Sequence, residues 1–240
     1  MRELRTRREY AAPRGDRVTV AYQKLRDLIV WGRLAPGSRI VESEVATRLG
    51  VSRTPVRSAL HRLHQEGYIL AEEGGRQARL RVAPLTIDDA RDLFAILGRV
   101  EGLAARRAAE LPPDKRLPLV RRLRQCNEEL FEAGRAANPD SNLIYLLDVD
   151  FHRQYVAAVG APRLTALHNA IKPQAERYNR LYATFLIDEI RTSVEEHERI
   201  VRSIEAANVE QAELAACANF VNAAERLRDV IERLGERGIW

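Results

Sequence analysis

Two groups of residues in this 240-residue chain have the types and spacing that chemistry needs. In the first, Asp148 and His152 stand four positions apart in a helical pattern, so a carboxylate oxygen and an imidazole nitrogen share one helical face about a turn apart. That pair can hold a divalent ion, and it can equally be a hydrogen-bonded pair within one helix. His197, in Glu195-Glu196-His197-Glu198, can converge on it from another helix. In the second group, Ser52, Arg53, Thr54 and Arg57 open a helical pattern whose opposite stripe is Val56, Leu60 and Leu63. Donors on the first turns with an apolar back are what a helix needs to enter the major groove. Arginine can grip guanine O6 and N7 with two hydrogen bonds, whereas hydroxyls more often hold phosphate, so Arg53 and Arg57 are the candidate base readers.

Those donors need a scaffold, and the flanking sequence supplies one. Helical periodicity over 18–31 stops at Gly32, a turn follows at 34–38, and Arg39-Ile40-Val41 is a short extended piece. Ser43 can cap a short helix over 44–49 that Gly50 closes, and its hydroxyl is placed for phosphate. Two short helices joined by a tight Gly-containing turn make a helix-turn-helix. Residues 67–70 and 78–82 read as the strands of a hairpin, and Gly74, Gly75 and Arg76 at its tip suit close approach to the DNA backbone or minor groove.

Beyond residue 85 the pattern is long helices only. Thr86 with Asp89 forms a capping box, Pro112-Pro113 ends that helix, and later helices are expected over 114–136, 141–159, 163–186, 189–207 and 209–234. The fold class is therefore mostly α: an N-terminal winged helix-turn-helix followed by an all-α bundle of about six helices. The expected division is a flexible arm over 1–16, a DNA-binding domain over 17–83 and a helical domain over 84–240.

Composition narrows the function classes. The chain is 45% hydrophobic and 30% charged, has no apolar run of the roughly 20 residues a membrane span needs, and opens without an apolar signal segment. A cytoplasmic protein with no membrane partner is expected. Residues 1–83 hold 17 Lys+Arg against 9 Asp+Glu, and the rest of the chain 22 against 25, so the basic character belongs to the part expected to meet a polyanion. Cys126 and Cys217 lie far apart in helical patterns and are not spaced as a disulfide or zinc framework. A metal-dependent hydrolase or lyase built on Asp148, His152 and His197 lacks a separate general base in the neighbouring sequence.

The run from Leu49 to Leu63, Leu-Gly-Val-Ser-Arg-Thr-Pro-Val-Arg-x-Ala-Leu-x-Arg-Leu, resembles the GntR superfamily, as do Pro36-Gly37-x-x-Ile40 and Glu66-Gly67-Tyr68. The wing tip departs from the family's commoner Arg-Gly. Arg99-Val100-Glu101, Asp148-x-x-Phe151-His152 and Glu196-His197 resemble the FadR-like branch with its FCD-type effector domain. The resemblance implies a homodimeric, nucleoid-associated transcription factor, a repressor more often than an activator, on a palindromic operator in double-stranded DNA. It also implies a small organic acid as effector and a divalent ion, zinc first with nickel or manganese as alternatives. Asp148, His152 and His197 match three ligand positions, and the fourth, a histidine in that family, falls on Asn219. A neutral amide oxygen is a weaker zinc ligand than imidazole, so the site is expected to bind loosely, to prefer a harder ion, or to take effector directly. Arg99, Tyr178 and Arg180 are the expected effector contacts, since arginine suits a carboxylate. An effector-independent DNA binder is the remaining alternative, disfavoured by the long polar-pocketed bundle.

Overall fold

A computed structural model describes residues 14–72 and 79–239, which fall into two compact units. The first holds residues up to Ile29 and Arg33–Ala83; the second holds Val30–Gly32 and the chain from Pro84 onward.

In the first unit, α1 (Arg14–Val30) precedes β1 (Arg39–Ile40), α2 (Glu42–Leu49), α3 (Arg53–Gln65), β2 (Ile69–Glu72) and β3 (Arg79–Val82). The three strands form an antiparallel sheet in the order β1-β3-β2, with Ile69 opposite Val82 and Ile40 opposite Leu80. Leu25 and Ile29 of α1 are buried with Val56, Leu60 and Leu63 of α3 and with Ile69 of β2. That packing fixes the roll of α3 and leaves its opposite face to solvent. Gly50, at φ 66°, takes the left-handed conformation that closes α2, so α3 begins three residues later.

Two expectations are corrected here. Residues 14–16 belong to α1 and not to an arm, while residues 1–13 and the wing tip with Gly74, Gly75 and Arg76 lie outside the described residues. Ser43 is not the cap of α2: the helix starts at Glu42 with Val41 in the cap position. Glu42 and Glu44 both fall in its first turn, where the helix dipole favours negative charge.

The second unit is a bundle of α4 (Ile87–Ala109), α5 (Pro113–Arg135), α6 (Ser141–Ala158), α7 (Pro162–Tyr182), α8 (Ile190–Glu205) and α9 (Val209–Leu234). Side-chain oxygens of Thr86, Asp140 and Asn208 accept from free N–H groups at the starts of α4, α6 and α9. The helix expected to reach 186 ends at Tyr182 and gives way to 3-10 turns at Ala183–Phe185 and Ile187–Glu189. Tyr182 is held in the core, its hydroxyl donating to Gly235 O at 3.3 Å, and the chain tightens immediately after that anchor. α4 and α9 run side by side at close range because of two glycines. A Cβ at Gly102 would lie 2.6 Å from Cys217 Sγ, and one at Gly98 would lie 3.0 Å from Phe220 Cβ. This approach sets the register between Glu101 on one helix and Asn219 on the other.

Candidate metal centre and nucleic-acid interface

The centre is built outward from Glu101, a fully buried carboxylate on α4. An ionised carboxylate is tolerated in an apolar bundle only if its lone pairs are filled by donors. Glu101 has four. His152 Nδ1 lies 2.6 Å from Oε2, His168 Nε2 lies 3.0 Å from Oε1, Lys172 Nζ donates to Oε1 at 3.4 Å, and Tyr155 OH donates to Oε2. Burial by itself would raise this carboxyl, yet the Lys172 charge and the hydrogen bonds from His152 and His168 hold it well below the usual range. Burial would likewise lower Lys172, and the Glu101 charge reverses that. An ionised Glu101 takes the Nδ1 proton of His152 as its hydrogen bond, which turns the Nε2 lone pair outward as a ligand.

His197 on α8 is fixed the same way. Asn127 of α5 donates its Nδ2 to Val194 O at 3.0 Å, so its Oδ1 faces His197 Nδ1 at 3.2 Å and accepts the proton there. The ring stacks on Phe151 at 4.0 Å with 7° between planes. Burial, reinforced by the Lys172 charge, keeps His197 well below the ordinary histidine range, hence neutral. Its Nε2 is therefore a buried lone pair, and it has no hydrogen-bond partner among the described residues. It points at another acceptor, Asp148 Oδ1, 3.6 Å away. The donor atoms of Asp148, His152 and His197 lie within 4.8 Å of one another, a span that an ion with bonds of ~2.0–2.2 Å closes with small movements.

Asp148, His152 and Asn219 border a cavity of about 100 Å³ between α4, α6, α7, α8 and α9, whose walls also include Lys172, Arg226, Phe94 and Phe220. Asn219 donates its Nδ2 to Glu196 at 2.9 Å. Glu196 is nearly buried and also accepts from Asn222 at 2.8 Å and from both terminal nitrogens of Arg226 at 2.9 and 3.0 Å. Burial would raise this carboxyl as well, and the Arg226 and Asn222 hydrogen bonds bring it below its ordinary value.

Arg99, Tyr178 and Arg180 do not border this cavity. Arg99 is exposed beside Cys217. Tyr178 is a buried core residue whose hydroxyl donates to Asp89 at 2.6 Å and accepts from Thr86 N–H at 3.0 Å, tying α7 to the start of α4. Arg180 is sandwiched between the rings of Trp31, at 3.4 Å, and Tyr145, at 4.1 Å. The cations at the cavity are Lys172 and Arg226, which sequence reasoning missed along with the roles of Glu101, Asn127 and His168. A signal for two of them existed. Glu101 interrupts the apolar stripe Leu97, Ala104, Ala108 at helical spacing, and Lys172 does so between Leu164 and Ala175.

In the first unit Ser52, Arg53, Thr54 and Arg57 are all exposed on one side of α3, while Val56, Ala59, Leu60 and Leu63 are buried on the other. Ser43, Ser52 and Arg53 line one surface depression where the starts of α2 and α3 meet. Arg57 donates from Nε and from one terminal nitrogen to Glu42, with the shortest contact 2.9 Å. The pair is solvent-exposed and so contributes little stability.

A three-stranded winged helix-turn-helix with an exposed polar recognition helix, joined to an all-α domain, is the architecture of a DNA-binding transcriptional regulator. Residues 18–77 match the family described as bacterial regulatory proteins, gntR family, and residues 92–222 match the FCD domain. The chain therefore belongs to the GntR family, as an FCD-domain member, and is a regulator and not an enzyme. It is 31% identical over 203 residues to the probable D-xylose utilization operon transcriptional repressor of Paenarthrobacter nicotinovorans, covering 83% of this chain and 84% of that one. It is 26% identical over 218 residues to the HTH-type transcriptional regulator YdhC of Bacillus subtilis (strain 168), covering 88% and 91%. Among solved structures, E. coli McbR/YncC shares the fold with a TM-score of 0.68 at 20% identity, over 89% of this chain and 97% of that one.

Proposed function

We propose that the chain is a homodimeric repressor of the cytoplasm that binds a palindromic operator at the nucleoid and answers to a small organic acid held, through a divalent ion, in the bundle cavity. The observation that carries the sensor half is the buried Nε2 of His197, without a hydrogen-bond partner among the described residues, facing Asp148 Oδ1 at 3.6 Å. A proton or a cation resolves that pairing, and the convergence of His152 on the same point favours a cation. Asp148, His152, His197 and Asn219 would hold the ion, which when bound supplies a positive anchor for a carboxylate. Lys172 and Arg226, rather than Arg99, Tyr178 or Arg180, then stand where they can orient the acid.

In the DNA half, Arg53 and Arg57 read bases, and Ser43, Ser52 and Thr54 hold phosphates. Gly75 and Arg76 keep the expected backbone role at the wing. The D-xylose operon relative is named a repressor, which supports that sign of regulation. Dimerisation has support in the outer face of α4 and α9. Ile96 and Leu103, one heptad apart, stand level with Val221 and Leu214, also a heptad apart, in the register set by the Gly98 and Gly102 contacts. All four are exposed, from 41% to 57%, and the Arg106–Glu213 ion pair bridges the two helices beside them. Such an apolar strip fits a second copy related by a two-fold axis.

The deciding experiment is a thermal shift of ion-loaded and stripped protein against a panel of small carboxylic acids, followed by operator binding with each hit. A hit that stabilises only the loaded protein and changes DNA affinity is the expected result. An acid response equally strong in stripped protein would sink the ion-mediated reading.

A further inference from the structure

In a histidine-based site the fourth ligand presents a nitrogen, but here position 219 carries an amide, and an amide has a polarity that something must set. Either its oxygen or its NH2 group can face a neighbour, and only the oxygen binds a cation. Glu196 decides which. Its carboxylate cannot donate, and its oxygens take hydrogen bonds from Arg226, Asn222 and Asn219. The Arg226 contact is two-pronged, through both terminal nitrogens onto both Glu196 oxygens, so the carboxylate is held as an acceptor and cannot turn away. The atom of Asn219 facing Glu196 must therefore be the nitrogen, 2.9 Å away, and Oδ1 is left for the cavity that Asn219 shares with Asp148 and His152.

We infer that Glu196, clamped by Arg226, is a positioning residue that makes Asn219 an oxygen ligand, giving a two-nitrogen, two-oxygen site that favours oxygen-tolerant ions such as manganese relative to zinc when set beside a version with histidine at position 219. The inference rests on the ion-binding reading above. The physical reason is ligand softness: replacing an imidazole by a neutral amide oxygen weakens the interaction with zinc more than with a hard ion, whose preferred donors are oxygens. The orienting carboxylate is as important as the ligand, because a flipped amide would aim two N–H donors at a cation.

The experiment uses stripped full-length protein, zinc affinity by chelator competition, and manganese affinity from loss of the free-ion electron paramagnetic resonance signal. Asn219→His is expected to tighten zinc by about 10- to 100-fold while changing manganese only a few-fold. Glu196→Gln is expected to weaken both ions by about 10- to 100-fold, since its amide lets Asn219 turn over. Asn219→Asp combined with Glu196→Gln is expected to restore manganese binding to the wild-type level or better. Either oxygen of the introduced carboxylate can ligate, and the introduced amide can donate to the other. A merely structural role for Glu196 predicts no such recovery.

Should Glu196→Gln fail to fold, Asn219→His alone carries the decision. Unchanged zinc affinity in that variant, or no recovery in the double variant, overturns the inference. Asp148→Ala and His152→Ala separate the two levels. If they lose the ions while the substitutions at 219 and 196 do nothing, only the role of Asn219 and Glu196 falls. If they bind as wild type does, the ion-binding reading itself falls.

Discussion

Gly102→Ala tests whether the close approach of α4 and α9 sets the centre. The added methyl would sit 2.6 Å from Cys217 Sγ and 3.2 Å from Glu213 O, and the second contact is backbone that cannot rotate away. Forcing a methyl into a packed contact costs about 1–3 kcal/mol, while alanine regains about 0.8–1.0 kcal/mol of helix propensity over glycine. The net expectation is a loss of about 1 kcal/mol, or ~2–4 °C in the melting of a domain of this size. Adding Cys217→Ala removes the nearer clash, so the penalty of Gly102→Ala should fall by about 1 kcal/mol in that background, a coupling that a double-mutant cycle resolves. Urea unfolding followed by circular dichroism gives all four stabilities. Glu101 adjoins Gly102 and Asn219 lies two residues from Cys217, so ion affinity should weaken several-fold in Gly102→Ala and recover in the double variant. A Gly102→Ala protein as stable as wild type, or a penalty indifferent to residue 217, would refute the idea that this spacing is tight.

Other outcomes follow from the same geometry. Arg53→Ala and Arg57→Ala should each lose about 1–3 kcal/mol of operator discrimination in fluorescence anisotropy, with the bundle unchanged; undiminished selectivity in both removes α3 as the reading helix. Glu42→Gln should tighten DNA binding in fluorescence anisotropy, because a negative charge beside the reading helix is removed and Arg57 is released from its carboxylate. Stripping the ion should lower the melting temperature of the helical unit. At an ion concentration 100 times Kd the stabilisation lost is about 2.7 kcal/mol, and Asp148→Ala should erase the difference. Ile96→Glu with Val221→Glu should convert the proposed dimer to monomer in light scattering; a wild-type monomer removes the dimer, and a dimer that persists in the variant moves the interface elsewhere.

The winged helix-turn-helix was legible because its code is local. Gly50 must be left-handed, Pro55 fits only a first turn, and Val56, Leu60 and Leu63 fall on one side of a single helix. The bundle was legible through the Thr86 cap and through breakers such as Pro112-Pro113. Asp148 and His152 were visible because their spacing is one helical turn. Glu101 was not read as the hub, since its partners arrive from α6 and α7, and no periodicity reports which helices become neighbours. Residue type alone does not report which side chains border the cavity, and Arg99, Tyr178 and Arg180 do not border it. Tyr178 continues the buried stripe Ala175, Tyr178, Tyr182, which marks packing, and Arg180 finds aromatic faces instead of a carboxylate. Ser43 looked like a cap because serine so often is one, but the helix begins before it, with Val41 at the cap and Glu42 in the first turn.

The sandwich at Arg180 also gives this protein a built-in optical reporter. Trp31 is one of two tryptophans in the chain, half exposed, with a guanidinium against its ring. The same guanidinium also lies over the Tyr145 ring, and Tyr145 forms part of the cavity wall. Should the proposed effector displace the tyrosine ring, Trp31 emission is expected to change with it, and a titration followed by tryptophan fluorescence checks this. Trp240→Phe isolates that signal, and Arg180→Lys, which cannot stack as a plane, should silence it while leaving uptake measurable by calorimetry.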